Sequence, residues 1–183
     1  MLKLNIGCGK DYLDNYENID WNTNVKADVH IDVVKTGLPF EDNSVDEVYM
    51  RQFLEHIPRE KYFKFIDEVY RVCKAGAIVK VHVPHFTGLG APHPCHYNYY
   101  AVNHFKVMEV DLHNDDRYTK ARFNVEKVKL LLFETKSKIK LTHVFNFLFN
   151  WIFNLGGMKY QMLWEKINPI GFEEVQYTLR IVK

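Results

Sequence analysis

Two glycines and an aspartate near the start of the chain have residue types and a spacing that suit a nucleoside. An apolar run at residues 2–6 leads into Gly7, Cys8 and Gly9, where the glycines let the backbone turn sharply and lie against a ligand. Asp20 follows Gly9 by eleven residues. A carboxylate at a strand end can accept hydrogen bonds from both hydroxyls of a ribose. A dinucleotide site has a gap of roughly 20 residues and a third glycine, so the pattern favours a single nucleoside.

Histidines supply the candidate proton chemistry. An acceptor that loses a proton needs a base with a pKa near neutrality, and imidazole meets that need. His85 and His96 are the leading candidates because both lie in a loop that follows a predicted strand. His93 and His56 complete the candidate catalytic set. Each ring could instead fix its loop through hydrogen bonds to the backbone, and the sequence leaves that alternative open.

The same stretch raises a second kind of chemistry, a bound divalent metal. Imidazole and thiolate are usual ligands of such ions. This part of the chain contains His82, His85, His93, Cys95 and His96, but their spacing does not define a metal site and no C-x-x-C pair accompanies them. We expect no metal. If one is present, the predicted ligands are His85, His93 and His96.

Alternating strands and helices must position these residues. Strands are predicted at residues 2–6, 17–20, 27–34, 45–50 and 78–83. A helix is predicted at residues 59–73 and closed by Gly76, and Glu55 and His56 are predicted to begin a helix just before it. This alternation indicates a parallel sheet with right-handed crossovers, which binds ligands at the carboxyl ends of its strands.

The sequence of the second half of the chain predicts strands that form an antiparallel edge of the sheet. Residues 122–133 and 173–182 have the pattern of long strands that pair antiparallel. A helical insertion at about 136–170 separates them. Within it, residues 141–155 are apolar nearly everywhere outside a stripe formed by Asn146, Asn150 and Asn154. A core position or a homodimer face would explain this aromatic helix, and contact with a membrane surface is the alternative.

Length and charge restrict the class of protein. The 183 residues are 47% hydrophobic, which suits a single domain with one core. With 24 basic and 23 acidic residues the formal net charge is +1, so we expect no nucleic-acid partner. The three cysteines are far apart, no secretory leader pattern opens the sequence, and no uncharged apolar run is long enough to span a membrane. We therefore expect a cytoplasmic protein.

A set of short motifs gives the chain a family resemblance. The motifs are NIGCG at residues 5–9, NID at 18–20, LPF at 38–40, DNSVD at 42–46, LEHI at 54–57 and VPH at 83–85. Over nearly the whole chain they resemble class I S-adenosylmethionine-dependent methyltransferases, specifically the type 11 group. A closer resemblance is to a branch with Val-Pro-His after the fifth strand and Asp-Pro-Thr-His shortly beyond. Here the second segment runs from His93 to His96, and Gln52 stands where that branch often has histidine.

The resemblance implies a fold and a cofactor. The fold is an α/β Rossmann-like methyltransferase sheet, mostly parallel with an antiparallel C-terminal edge and helices on both faces, in one domain over residues 1–183. The cofactor is S-adenosylmethionine. The implied contacts are Gly7, Cys8 and Gly9 with its methionine part, Asp20 with the ribose, Asp32 and the Val33 backbone with the adenine, and Arg51 and Gln52 with the sulfonium, with Trp21 completing the set. Asp32 could instead cap a turn.

The predicted activity is methylation of a hydroxyl on a small molecule or glycan, by in-line displacement with a histidine base. The glycan preference rests on the resemblance alone, and a lipid-linked acceptor is one possibility within it. An Asn/Asp-Pro-Pro-Tyr/Phe segment for amino-group methylation is missing after the fourth strand. Two alternatives remain: an accessory subunit that binds the cofactor without catalysis, and a nucleotide-sugar transferase. The short glycine-to-aspartate gap argues against the transferase.

Overall fold

Seven strands form one mixed sheet within the residues that the computed structural model describes, which are 1–111, 117–133, 140–168 and 171–183. The strands are β1 (Lys3–Ile6), β2 (Glu17–Asp20), β3 (Val29–His30), β4 (Val45–Arg51), β5 (Cys73–Pro84), β6 (Phe123–Leu131) and β7 (Glu174–Ile181). Their order in the sheet is β3-β2-β1-β4-β5-β7-β6. The helices are α1 (Val33–Thr36), α2 (Arg59–Val72), α3 (His104–Asp111), α4 (Lys140–Asn154) and α5 (Gly157–Ile167).

The pairing confirms the predicted mostly parallel sheet with an antiparallel C-terminal edge. Strands β3, β2, β1, β4 and β5 pair in parallel, so their carboxyl ends lie at one edge of the sheet. Strand β7 inserts between β5 and β6 and runs antiparallel to both. The outermost strand on that side is therefore β6.

One face of the sheet carries the core. In β7 the alternating residues Val175, Tyr177 and Leu179 are buried, as their sequence period predicts. Helix α2 packs on this face through apolar side chains at helical spacing, among them Phe65 and Val69. Burying these side chains against the sheet fixes the strand ends that form the site.

The structure corrects three local predictions. The strand expected at residues 27–34 is only β3, because Asp32 caps the short helix α1 by accepting a hydrogen bond from the Lys35 backbone N–H at 3.3 Å. Helix α2 ends at Val72, and Gly76 lies within β5 at φ +79°, where the pairing with β4 shifts register. Glu55 forms part of a 3₁₀ turn, Leu54–His56, and the helix begins only after Pro58.

The predicted insertion contains α4 and α5, which lie between β6 and β7 in the chain; its residues 136–139, 169 and 170 are outside the described residues. Asn154 binds the outer edge of β6, because its side chain accepts from the Leu130 N–H at 2.7 Å and donates to the Leu130 carbonyl at 2.9 Å. Gln161 donates to the Val128 carbonyl at 2.7 Å. These two amides pair backbone groups that an edge strand otherwise exposes. The side chains of Asn146 and Asn150 lie outside the described part of the structure.

The outer surface of α4 carries large apolar side chains. Phe147 is 82% exposed and Trp151 is 62% exposed. No described helix combines the length and the apolar character needed to cross a membrane. Contact with a membrane surface and a homodimer face stay predictions for this surface.

The stability of the fold should depend on pH through His104. Its ring lies among those of Tyr100 and Phe105 and accepts a hydrogen bond from the Tyr62 hydroxyl at 3.0 Å. Burial lowers the pKa of His104 to about 4. In the unfolded chain the imidazole of His104 takes up a proton near pH 6.5. The stability that the folded protein gains from the neutral, buried ring is therefore complete above about pH 6.5 and is lost as pH falls towards about 4.

Replacing His104 with phenylalanine should remove this dependence. Between about pH 7 and pH 4.5 the free energy of unfolding of the wild type should fall by up to roughly 3 kcal/mol more than that of the His104→Phe variant. Urea unfolding at both pH values measures the two slopes. The same slope in both proteins would contradict the assignment.

Candidate functional site

A cavity of about 420 Å³ lies at the carboxyl ends of β1, β2 and β4. Its volume is in the range of small-molecule sites. Most of the residues predicted to bind the cofactor line it: Gly7, Gly9, Asp20, Trp21, Asp32, Val33 and Gln52. The sheet therefore brings together residues that are up to 45 positions apart in the chain.

The glycine turn forms one wall of this cavity. Gly7 has a φ of +68°, and a β-carbon there would lie 2.2 Å from Cδ2 of Phe53, so only glycine fits. Gly9 has a φ of +51°, and a β-carbon there would meet no atom within 4 Å. Gly7 is therefore required by the protein's own packing, whereas Gly9 leaves open space next to the backbone for a ligand.

Asp20 joins the glycine turn to the loop after β2. One carboxylate oxygen accepts from the Gly9 N–H at 2.8 Å, and the other accepts from the Asn22 N–H at 2.9 Å. The residue is 9% exposed and lines the cavity. Because a carboxylate has about four lone-pair sites, Asp20 keeps acceptor capacity for two ribose hydroxyls.

At the far end of the cavity Asp32 has the capping role that the sequence left open, and its contact with an adenine stays a prediction. Its carboxylate caps α1 and forms an ion pair with the Lys35 ammonium at 2.8 Å, and the hydrogen bond to Lys35 holds its pKa below the ordinary value. The residue also lines the cavity beside Val33 and the exposed ring of Trp21. An ionised carboxylate, a backbone edge and an aromatic ring suit an adenine.

Two predicted cofactor residues do not line the cavity. Cys8 is buried, its thiol donates to the Lys26 carbonyl at 3.6 Å, and burial raises its pKa to about 11. Arg51 forms ion pairs with Asp11 at 3.2 Å and with Glu174 at 3.5 Å. Arg51 therefore braces the strand end, while its neighbour Gln52 faces the cavity.

The turn after β4 connects the cavity to the histidines. Gln52 has a φ of +51°, which is uncommon for a residue with a side chain, and its N–H donates to the His82 carbonyl at 2.8 Å. This bend places Phe53 against Gly7 and His56 in the cavity wall. Sequence reasoning missed Phe53. The one local indication for Phe53 in the sequence is that it lies two residues after the end of β4.

His85 is fully buried, with both ring nitrogens engaged. Nε2 donates to the Glu165 carboxylate at 2.7 Å, and Nδ1 accepts from the backbone N–H of Thr87 at 3.3 Å. Glu165 also accepts from the Val102 N–H. His85 therefore connects β5 to α5, and it does not line the cavity. His85 thus fixes its loop, but mainly through the Glu165 side chain and not through the backbone bonds that the alternative named.

The other candidate histidines form a group beside the cavity. The ring centroids of His56 and His96 are 4.7 Å apart, and those of His93 and His96 are 5.0 Å apart. Burial, followed by the nearby His56 ring, lowers the pKa of His96. Of this group only His56 lines the cavity itself.

Glu55 completes a cluster with these rings. Its side chain is 0% exposed, and one ligand atom each from Glu55, His56 and His96 lies within 4.8 Å of the other two. The predicted metal set of His85, His93 and His96 is therefore not the set that the fold brings together.

Comparison with known proteins agrees with this geometry. Residues 4–81 match a family model described as a methyltransferase domain, and this segment contains the glycine turn, Asp20, Asp32, Gln52 and His56. No curated protein shows significant similarity to this sequence.

Solved structures match nearly the whole chain. A SAM-dependent methyltransferase from Archaeoglobus fulgidus is 18% identical with a TM-score of 0.62, covering 97% of this chain and 85% of that chain. One from Methanosarcina mazei is 14% identical with a TM-score of 0.57, covering 98% and 92%. Phosphoethanolamine N-methyltransferase 2 from Haemonchus contortus, solved with S-adenosyl-L-methionine, is 16% identical with a TM-score of 0.56, covering 99% and 48%. Because the sequence identities are this low, the similarity to these structures establishes the fold alone.

Replacing Asp20 should weaken cofactor binding. The Asp20→Ala variant loses charge-assisted hydrogen bonds to the ribose, so its affinity for S-adenosylmethionine should fall by roughly 1 to 3 kcal/mol. Asp20→Asn keeps one acceptor oxygen and should lose less. Isothermal calorimetry measures both, with the exposed Asp14→Ala as the matched control. If the wild type and the three variants bind S-adenosylmethionine with equal affinity, the assignment of Asp20 to the ribose is refuted.

The cavity should reject a dinucleotide. The short gap between Gly9 and Asp20 leaves no room for the helix that binds a pyrophosphate, and the structure has a loop between β1 and β2. NAD should therefore not displace S-adenosylmethionine at comparable concentration in a competition titration. Displacement by NAD would show that the spacing argument is wrong.

Proposed function

We propose that this chain is a class I, S-adenosylmethionine-dependent methyltransferase that methylates a hydroxyl of a small molecule or glycan, and the methyltransferase-domain match over residues 4–81 supports this. When bound, S-adenosylmethionine supplies an electrophilic methyl group on a sulfonium sulfur, which an acceptor oxygen displaces in line. The described residues must hold the acceptor at near-attack distance, exclude water and remove the acceptor's proton.

The residues present fit that cofactor. Gly9 leaves open space beside the backbone, and Asp20 offers carboxylate oxygens to a pair of hydroxyls. Asp32, Val33 and Trp21 form the end that suits a base. This order along the cavity supports a methionine part near the glycine turn and a reacting end near Gln52 and His56.

The cluster of Glu55, His56 and His96 is the observation that carries the proposal. It lies where the turn after β4 meets the loop after β5, at the carboxyl ends of the parallel strands, and His56 belongs to both the cluster and the cavity. A hydroxyl acceptor must lose a proton during the reaction, and the cluster offers groups that can promote this step. We assign the promotion of this proton loss to this cluster.

The loop that carries His96 supports an organic acceptor. Phe86, Tyr97 and Tyr99, which are close to it in the chain, are each about half exposed. Exposed aromatic rings, two of which here carry a hydroxyl, suit partners with both apolar and polar faces. The preference for a glycan still comes from the family resemblance. A cofactor-binding accessory subunit is not favoured, because such a role does not need histidines against the cavity.

Loss of His96 should reduce turnover without loss of cofactor binding. With methyl-labelled S-adenosylmethionine and a fractionated extract of the source cell, His96→Ala should transfer label roughly 10² to 10⁴ times more slowly than the wild type. Its calorimetric affinity for S-adenosylmethionine should be unchanged. The exposed His143→Ala variant serves as control. Full activity in His96→Ala would remove His96 from the reaction.

Loss of His85 should act on stability. His85→Ala leaves the carboxylate of Glu165 without its imidazole partner in a buried place, so the free energy of unfolding should fall by about 1 to 3 kcal/mol. Chemical denaturation measures this change. A variant with wild-type stability and a selective loss of turnover would instead return His85 to the role of base.

A further inference from the structure

We propose that Glu55, His56 and His96 bind a divalent cation of the zinc type beside the cofactor cavity. The inference rests on the proposed function, since the cation would act on the same acceptor hydroxyl. It assigns ligands that differ from the set predicted from sequence spacing.

The donor set and its arrangement carry the inference. Two imidazoles and one carboxylate are a known ligand combination of catalytic zinc, with a further position left for water or substrate. The three ligand atoms lie within 4.8 Å of one another. A ligand distance near 2.1 Å on each side brings such atoms closer together, which needs small rotations of the side chains.

His56 already has the tautomer that a metal ligand needs. Its Nδ1 lies 3.1 Å from the carbonyl oxygen of Cys95. Because a carbonyl can only accept, Nδ1 carries the proton and Nε2 carries the lone pair. Ligating histidines commonly donate their second ring N–H to a backbone carbonyl in this way, which fixes the ring orientation.

The two chain segments that carry the ligands are fastened to each other. The Tyr97 N–H donates to the Glu55 carbonyl at 2.7 Å, and the Asn98 side chain donates to the Ile57 carbonyl at 2.7 Å. Arg59 donates to the Tyr97 carbonyl at 2.8 Å. These bonds hold His96 next to Glu55 and His56 without any ion, so the site is organised before binding.

Glu55 gives the site its charge. Its carboxylate is 0% exposed, and a buried carboxylate is stabilised when a cation shares its site. With two neutral imidazoles and one carboxylate, the cluster balances only part of the charge of a divalent ion. The remaining positive charge would favour an anionic oxygen in the open position.

The place of the cluster gives the cation a role. His56 lies in the cavity wall, so an acceptor hydroxyl that ligates the cation lies near the cofactor. The cation lowers the pKa of that hydroxyl. Its O–H bond breaks and the proton passes to water; the oxygen then forms the new C–O bond while the C–S bond breaks and sulfur keeps the electron pair.

Cobalt(II) binding tests the site without any knowledge of the acceptor. The full chain, freed of metal by dialysis against chelator, is titrated with Co²⁺ while the visible absorption of the ion is recorded. The wild type should give the intense spectrum of a site with four or five ligands. Glu55→Gln and His96→Ala should weaken Co²⁺ binding at least 10-fold, whereas His143→Ala should match the wild type.

Further measurements separate the outcomes. Circular dichroism and calorimetry with S-adenosylmethionine must show that His96→Ala is folded and binds the cofactor. Cys95→Ser should keep the Co²⁺ spectrum; its loss would overturn the ligand set in favour of a thiolate site. A wild type that leaves Co²⁺ as the weakly absorbing hydrated ion would overturn the metal site alone, because label transfer to an acceptor tests the proposed methylation separately.

Discussion

The contact between Gly7 and the ring of Phe53 is the constraint on which the site depends. A side chain at Gly7 would occupy the place of that ring, and the ring reaches it because Gln52 bends the chain back at the end of β4. The same bend places His56 in the cavity wall. One packing contact therefore fixes the distance between the glycine turn that should hold the cofactor and the cluster that should act on the acceptor.

The parts of the structure that depend on local sequence were predictable. A few neighbouring residues are enough to recognise each of these parts. Examples are the period-two pattern of β7, the apolar spacing of α2 and the glycines before Asp20. Parallel pairing of the first five strands then follows from the alternation of strands and helices. The cavity walls at Gly9, Asp20 and Asp32 could be named from the sequence because each lies at or near the end of such a strand.

The roles of the histidines were not predictable, because they depend on distant partners. His85 is bound to Glu165, 80 residues further along the chain, and nothing near His85 in the sequence indicates that pairing. His96 lies next to His56, 40 positions away in the chain, and the backbone carbonyl of Cys95 is hydrogen-bonded to the His56 ring. The edge of β6 shows the same limit, since Asn154 belonged to a recognised stripe whose function as a backbone partner appears only in three dimensions.

A crystal structure with S-adenosylhomocysteine tests the central claim most directly. The account predicts its ribose on Asp20, its adenine beside Asp32 and its sulfur at the Gln52 end, where His56 can be reached directly or through one water. A ligand whose sulfur lies at the Trp21 end, or that binds outside the cavity, would contradict the account.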